Sequence, residues 1–193
     1  MSRNADRIAR TTRALLESAR RSFATQGYAA TSMEALCAEA GLTRGALYHH
    51  FGGKEGLLEA VVREIDAETN ARLDRAYEAG PRDWVGFRDC CQAYLDLALE
   101  PEYQRVMLRD APAVLGQRHR EIDAAGSLQP IIDGLAALMA KGALRRTDPE
   151  ALARMLNGAM IDAALWIAAH DDPPAARQRA REVLDRLLDG LQA

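Results

Sequence analysis

Apolar positions recur at helical spacing from the start of the chain. Ile8, Leu15, Leu16, Ala19 and Phe23 mark one face of a first helix over about 7–26, and Gly27 follows as its stop. Thr31 and Glu34 stand at capping-box spacing ahead of Met33, Leu36, Cys37 and Ala40, which predicts a short helix over about 32–40, ended by Gly41. Leu42 is placed to plug the turn. Thr43 is a favourable N-cap for a third helix from Arg44 to His50, and Gly52-Gly53 interrupts the pattern. Lys54 then opens a long helix with Leu57, Leu58, Val61, Val62, Ile65, Leu73 and Tyr77 on its buried side, stopped by Gly80-Pro81.

The same reading gives a helix over about 83–99, with Trp84, Phe87, Cys91, Tyr94, Leu95 and Ala98 on one face, and another over about 102–110, ended by Pro112. Residues 116–142 look helical with a break or kink near Gly126. Asp148-Pro149 and Asp171-Asp172-Pro173 are start signals for two last helices. Strand-like runs are missing and Ala, Leu, Arg and Glu dominate, so the prediction is an all-α chain of about nine helices. Residues 1–53 form a three-helix head that takes in the start of the fourth helix to about 62. Residues 54–193 form the body.

Charge divides along the same line. Residues 1–54 hold eight Lys/Arg against four Asp/Glu, net +4, and residues 55–193 hold 17 against 24, net −7. A basic head on an acidic body is the footprint of a nucleic-acid-binding end. The polar N-terminus lacks the apolar core of a signal peptide, and the apolar stretch Ala159–Ala169 is short for a bilayer and carries Asp162. The expectation is a cytoplasmic protein without a membrane partner. Cys37, Cys90 and Cys91 fit no metal spacing, and no metal or other cofactor is expected. They read as small buried residues, with a thiol sensor at Cys90-Cys91 as the alternative.

A helix, a tight glycine turn and a second short helix rich in hydrogen-bonding side chains make a helix-turn-helix, whose second helix fits the DNA major groove. On that helix Thr43, Arg44, Gly45, Tyr48 and His49 fall on the outward face, and Leu47 and Phe51 on the inward one. Arg44 can donate two hydrogen bonds to guanine O6 and N7. Gly45 permits close backbone approach, while Thr43 and Tyr48 can meet phosphates or a thymine methyl edge. Lys54, Thr31 and Ser32 sit at helix N-termini, where phosphates bind. Adjacent helical residues diverge, so His49-His50 is not a metal pair. Arg3, Arg7 and Arg10 read as a DNA-following arm or as solvated charges.

The run Gly-Leu-Thr-Arg-Gly-Ala-Leu-Tyr over residues 41–48, with Tyr48-x-x-Phe51-x-x-Lys54-Glu55, closely resembles the DNA-binding domain of the tetracycline-repressor (TetR) family over residues 8–62. The resemblance implies the same DNA-contact roles for these positions. Gly52-Gly53 replaces the more common polar cap, and Gly56 weakens the first turn of the next helix, at about 1 kcal/mol per glycine. Asp110–Gly116 resembles a stretch seen in one branch of the family.

In the body, the Pro149 helix is apolar on two sides and the last helix is amphipathic. A four-helix seam with a second copy through Leu156, Ala159, Ala163, Val183, Leu184, Leu187 and Leu191 would cover them, as the family resemblance also implies. Aromatic and methionine side chains among the body helices make Trp84, Phe87, Tyr94, Tyr103, Met107, Met160 and Trp166 candidates for an effector pocket, with Asp162 and Asn157 as its polar groups. The sequence thus points to a homodimeric, sequence-specific regulator of double-stranded DNA. It is read as a repressor released from a palindromic operator by a small-molecule effector. An activator, a thiol-sensing regulator of the same fold or a helical interaction module are the alternatives. No nucleophile motif, phosphate loop or metal spacing suggests an enzyme.

Overall fold

Five helix starts rest on one side-chain oxygen each. Ser32 Oγ accepts from Ala35 N (3.2 Å), Thr43 Oγ1 from Ala46 N (3.2 Å), and Asp83 Oδ1 from Val85 N (2.9 Å). Asp148 Oδ1 accepts from Ala151 N (2.8 Å) and Asp172 Oδ1 from Ala175 N (3.1 Å). Each satisfies a backbone donor that the first helical turn leaves without a partner. The computed structural model describes residues 3–80 and 83–193, with side-chain burial from residue 9 onward except at Ala79. The side chains of Arg3 and Arg7, and Pro81 in the expected stop, lie outside the described residues.

The helices are α1 (Arg3–Gln26), α2 (Met33–Ala40), α3 (Arg44–Phe51), α4 (Lys54–Ala79) and α5 (Trp84–Leu97). α6 spans 101–115 and contains the π-helical segment Tyr103–Asp110 followed by the α-helical Ala111–Leu115. α7 spans 117–140 as Gln117–Asp123, a π-helical Ala124–Leu128 and Gln129–Ala140. α8 (Pro149–Ala168) and α9 (Pro173–Asp189) complete the fold. The protein is all-α, as predicted; among the described residues the only β-type pairing is an isolated bridge between Leu144 and Gln192.

Three expectations need correction. Thr31 does not cap α2: it is buried, its hydroxyl donates to Gly27 O at 2.8 Å, and Ser32 is the cap. Pro112 does not end α6. The wide turn hands over to α geometry just before it, with Ala111 N–H bonded five residues back to Val106 O, so the proline sits in the first turn of a fresh α segment, where its missing donor is tolerated. The helix stops at Gly116 instead, whose φ of 55° and ψ of −114° suit glycine. Finally, of the break or kink expected near Gly126 the break does not occur: the irregularity there is a π turn, and the chain stays helical through it.

Two cores hold the fold. One joins α1, α2, α3 and α4 through Leu15, Phe23, Leu36, Leu47, Leu57 and Leu58, and continues into α6 and α7 through Val106, Met107 and Ile122. The other joins α5, α7, α8 and α9 through Trp84, Leu95, Leu135, Leu138, Ile167 and Leu188. The C-terminal residues fold back on the α7–α8 connection, where Arg145 N donates to Leu191 O at 3.0 Å.

Candidate DNA-binding face and ligand cavity

The α2–α3 turn follows from Gly41, whose φ of 64° and ψ of 31° place it in the left-handed region. Its N–H and that of Leu42 close back on α2, Leu42 N to Cys37 O at 2.9 Å, and Cys37 is buried where the two helices meet. Leu47 is fully buried and Phe51 half-buried, which fixes the rotation of α3. Thr43, Arg44, Gly45, Tyr48, His49 and His50 are left exposed. Arg44 lies 5.9 Å from the Tyr48 ring centroid, and its Nη1 bonds Glu34 Oε1 at 2.9 Å. That exposed pair is weak and screened, so Glu34 holds the guanidinium in place without committing it.

Two other predicted contacts sit differently. Thr31, bonded beneath the surface, has no free hydroxyl to offer a phosphate, whereas Ser32 is exposed beside α2. Lys54 is half-buried. Its Nζ donates to Ala29 O at 3.2 Å and lies 4.7 Å from the Tyr28 ring centroid. The same turn is gripped from the body: Tyr28 N donates to Asp110 Oδ2 at 2.7 Å, and the Arg105 guanidinium packs on Gly27. Arg20, within α1 ahead of that turn, ties α1 to the body as well, with its Nε and Nη2 each 2.8 Å from the Glu102 carboxylate and Nη1 2.8 Å from Glu68. α4 and α6 are therefore both tied to the turn that precedes the recognition motif.

A cavity of about 320 Å³ lies between α4, α5, α6, α7 and α8. Phe87, Tyr94, Tyr103 and Met160 line it as predicted, and so does Asn157. Trp84 is instead packed in the body core, its ring stacked on Phe87 at 5.7 Å, and Met107 is buried in the core shared with the head. Asp162 and Trp166 lie on a shallow groove of α8 and α9 outside the cavity. Leu156, expected at a seam, lines the cavity.

Sequence reasoning missed the α4 wall of this cavity. Asp66 and Asn70 stand one helical turn apart and are joined at 3.1 Å, and Asp123 on α7 accepts from Asn157 Nδ2 at 3.0 Å. Burial, then the Asp123 charge, pushes the Asp66 carboxyl up to about 6. Burial raises the Tyr94 and Tyr103 phenols, Tyr94 to about 12. A polar residue every fourth position along α4 was the available signal, but a solvated helix face has the same spacing. Cys90 and Cys91 also line the cavity, with both thiols raised by burial, Cys91 to about 12. Little thiolate exists at neutral pH, which disfavours the thiol-sensor alternative.

α8 and α9 leave an apolar face open. Met155 is 73% exposed, Trp166 42%, Val183 54% and Leu187 60%, with Ala159 exposed and Ala163 half-buried between them. Leu184 is buried within the chain and Leu191 half-buried, so these two belong to the core side. The twenty residues of α8 are long and apolar enough to cross a membrane by length and composition, more than the stretch Ala159–Ala169 suggested. In the fold α8 packs on α5, α7 and α9, and carries Arg154, Asn157 and Asp162.

Known proteins resemble this chain along its whole length. Residues 15–61 match the bacterial regulatory proteins of the tetR family, and residues 84–191 match the tetracyclin repressor-like C-terminal domain. The crystal structure of a TetR-family transcriptional regulator from Pectobacterium atrosepticum is 43% identical, covering 100% of this chain and 98% of that one, at a TM-score of 0.86. An HTH-type transcriptional repressor of Mycobacterium tuberculosis is 29% identical over 179 residues, 79% of this chain and 92% of that protein. SmeT, solved in complex with triclosan, is 25% identical over 95% of this chain and 92% of that one, at a TM-score of 0.70. With both of its parts matched and its fold shared end to end, the chain belongs to the TetR family of DNA-binding transcriptional regulators.

Proposed function

We propose that this regulator is a homodimeric repressor whose α3 reads a palindromic operator and whose body cavity takes the small molecule that releases it. The observation that carries the reading is the outward face of α3, where Arg44, Tyr48 and His49 stand exposed around Gly45 while Leu47 anchors the helix from behind. Arg44 swings from Glu34 to a guanine edge, Thr43 and Ser32 meet phosphates, and Lys54 reinforces the turn or reaches a phosphate beside it. Residues 1–53 act as the DNA-binding part, and residues 54–193 as the sensing and dimerising part.

The open face of α8 and α9 is the seam. Apolar side chains this exposed favour a second copy of the same surface around a two-fold axis, which sets two α3 helices toward half-sites about 34–36 Å apart or at a wider family spacing. Asp162 and Arg179 supply polar contacts there. A ligand in the cavity touches α4 and α6, the two helices tied to the 27–31 turn. It releases DNA by favouring the arrangement in which the two heads no longer match the operator. The complex of SmeT with triclosan supports a small molecule as the occupant.

The test is binding to genomic fragments over a series of salt concentrations, followed by footprinting of the tightest fragment. A steep linear fall of log K with log salt, and a protected palindrome, are expected. Salt-insensitive or absent specific binding overturns the reading, and stimulated transcription from the footprinted promoter makes the protein an activator.

A further inference from the structure

Resting on the reading of the cavity as an effector site, we propose that its ligand is an organic cation: an ammonium group carried on an apolar or aromatic body. Among the twenty residues lining the cavity, Asp66, Asp74 and Asp123 are acidic and none is Lys, Arg or His. The rest of the lining is largely apolar or aromatic, with Tyr77, Phe87, Tyr94 and Tyr103 offering ring surface.

Asp66 on α4 and Asp123 on α7 each take one amide hydrogen bond from a fixed partner, Asn70 and Asn157, and these bonds orient the carboxylates without neutralising them. The wide turn of α7 presses on the first pair: a Cβ on Gly126 would sit 2.4 Å from Asp66 Oδ2 and 2.5 Å from Asn70 Nδ2. The neighbouring basic groups Arg63, His119 and Arg120 stay outside the cavity lining, with Arg120 exposed and bonded to Gln117 at 2.8 Å. Arg63 on α4 is bonded to Glu59 through Nε (3.1 Å) and Nη2 (2.7 Å), and burial favours the neutral ring of His119 on α7, beside Asp123. Tyr94 on α5 and Tyr103 on α6, with raised phenols, stay uncharged.

A neutral ligand filling this space would cover repelling carboxylates with apolar atoms and leave them uncompensated, which is costly in a low-dielectric interior. An anion would add to the repulsion. A cation supplies the missing counter-charge, and its ammonium gains further from aromatic faces close by.

Isothermal titration calorimetry on the full-length protein at pH 7.5 tests this with three probes of one shape: 4-phenylbutylamine, 4-phenylbutan-1-ol and 4-phenylbutyrate. The amine is expected to bind at least about ten-fold more tightly than the alcohol, with the acid weakest. Asp66→Asn and Asp123→Asn are each expected to narrow the amine preference, weakening the amine and, with one carboxylate fewer to cover, strengthening the alcohol, while an unchanged circular-dichroism spectrum reports an intact fold. Equal binding of amine and alcohol, no binding of any probe, or a preference that survives the double variant overturns the proposal. The effector reading is tested separately on the footprinted operator. Selective amine binding that leaves operator affinity unchanged sinks that reading but keeps the cation site. Equal binding of both probes that does release the operator keeps the effector reading and sinks the cation site.

Discussion

Single residues set the chemistry at both ends of the molecule. Arg44 is exposed and held by an exposed ion pair and by the exposed Tyr48 ring, so its truncation costs the fold little and should act on DNA. Arg44→Ala is expected to lose roughly ten- to hundred-fold in affinity at one base pair of the operator and to relax selection there, read by binding to a randomised-site library. Uniform weakening across all sequences would instead place Arg44 on a phosphate. Gly56 reverses the sequence expectation that a helical glycine is only a weakness. A Cβ there would sit 1.7 Å from Phe51 O, so the α3–α4 junction can close only around glycine. Gly56→Ala, which gains stability in an ordinary helix, is expected to cost about 1–3 kcal/mol or more here, seen as a lower denaturation midpoint. Asp66 shows the same trade in charge. Its folded carboxyl is raised from 3.8 to about 6, so the folded protein holds that proton more tightly than the unfolded chain. The resulting penalty is absent near pH 4, builds as pH rises through about 6, and is full above it. Asp66→Asn is expected to raise the melting temperature at pH 7.5 by an amount that shrinks toward zero as pH is lowered to 4. A pH-independent difference would show that the carboxylate carries no such penalty.

At the scale of elements, much was legible because local chemistry is strong. Thr43, Asp148 and Asp172 announce their helices by a short polar side chain before an apolar pattern, and Gly41 announces the turn, since few other residues adopt its backbone. The outward face of α3 followed from the same period that buries Leu47. Legibility failed where two signals compete. Thr31 and Ser32 are adjacent candidates for one cap, and only tertiary burial of Thr31 decides between them. Pro112 and Gly126 read as helix breakers, yet the first follows a π segment and opens an α turn and the second lies inside a π turn, and nothing in one sequence marks a wide turn. The cavity was half legible. Phe87, Tyr94, Tyr103 and Met160 stood out by their bulk, but Trp84 and Met107 have the same bulk and went into the cores, while Asp66 and Asp123 look like ordinary solvated positions until α4 and α7 are packed together.

For the whole molecule, the exposed face of α8 and α9 is the strongest unmet demand, since only 22% of the apolar α8 window is buried within one chain. Val183 and Leu187 project from this face, whereas Leu191 is tied into the core side. Val183→Asp with Leu187→Asp is expected to halve the mass measured by sedimentation, with helicity unchanged by circular dichroism. A mass that stays at the wild-type value would remove this face from the assembly. Loss of the dimer should also remove most operator affinity, because two linked heads bind far better than two separate ones.

The wide turn at Ala124–Leu128 acts as a phase setting along α7. Upstream of it stands Asp123, aimed at the cavity; downstream stand Leu135, Leu138 and Met139, packed in the body core. Excising one residue from that turn would rotate one half against the other by about 100°. Either the carboxylate would leave its chamber or the leucines would leave theirs, so the molecule's binding chemistry and its solidity share a single angular adjustment.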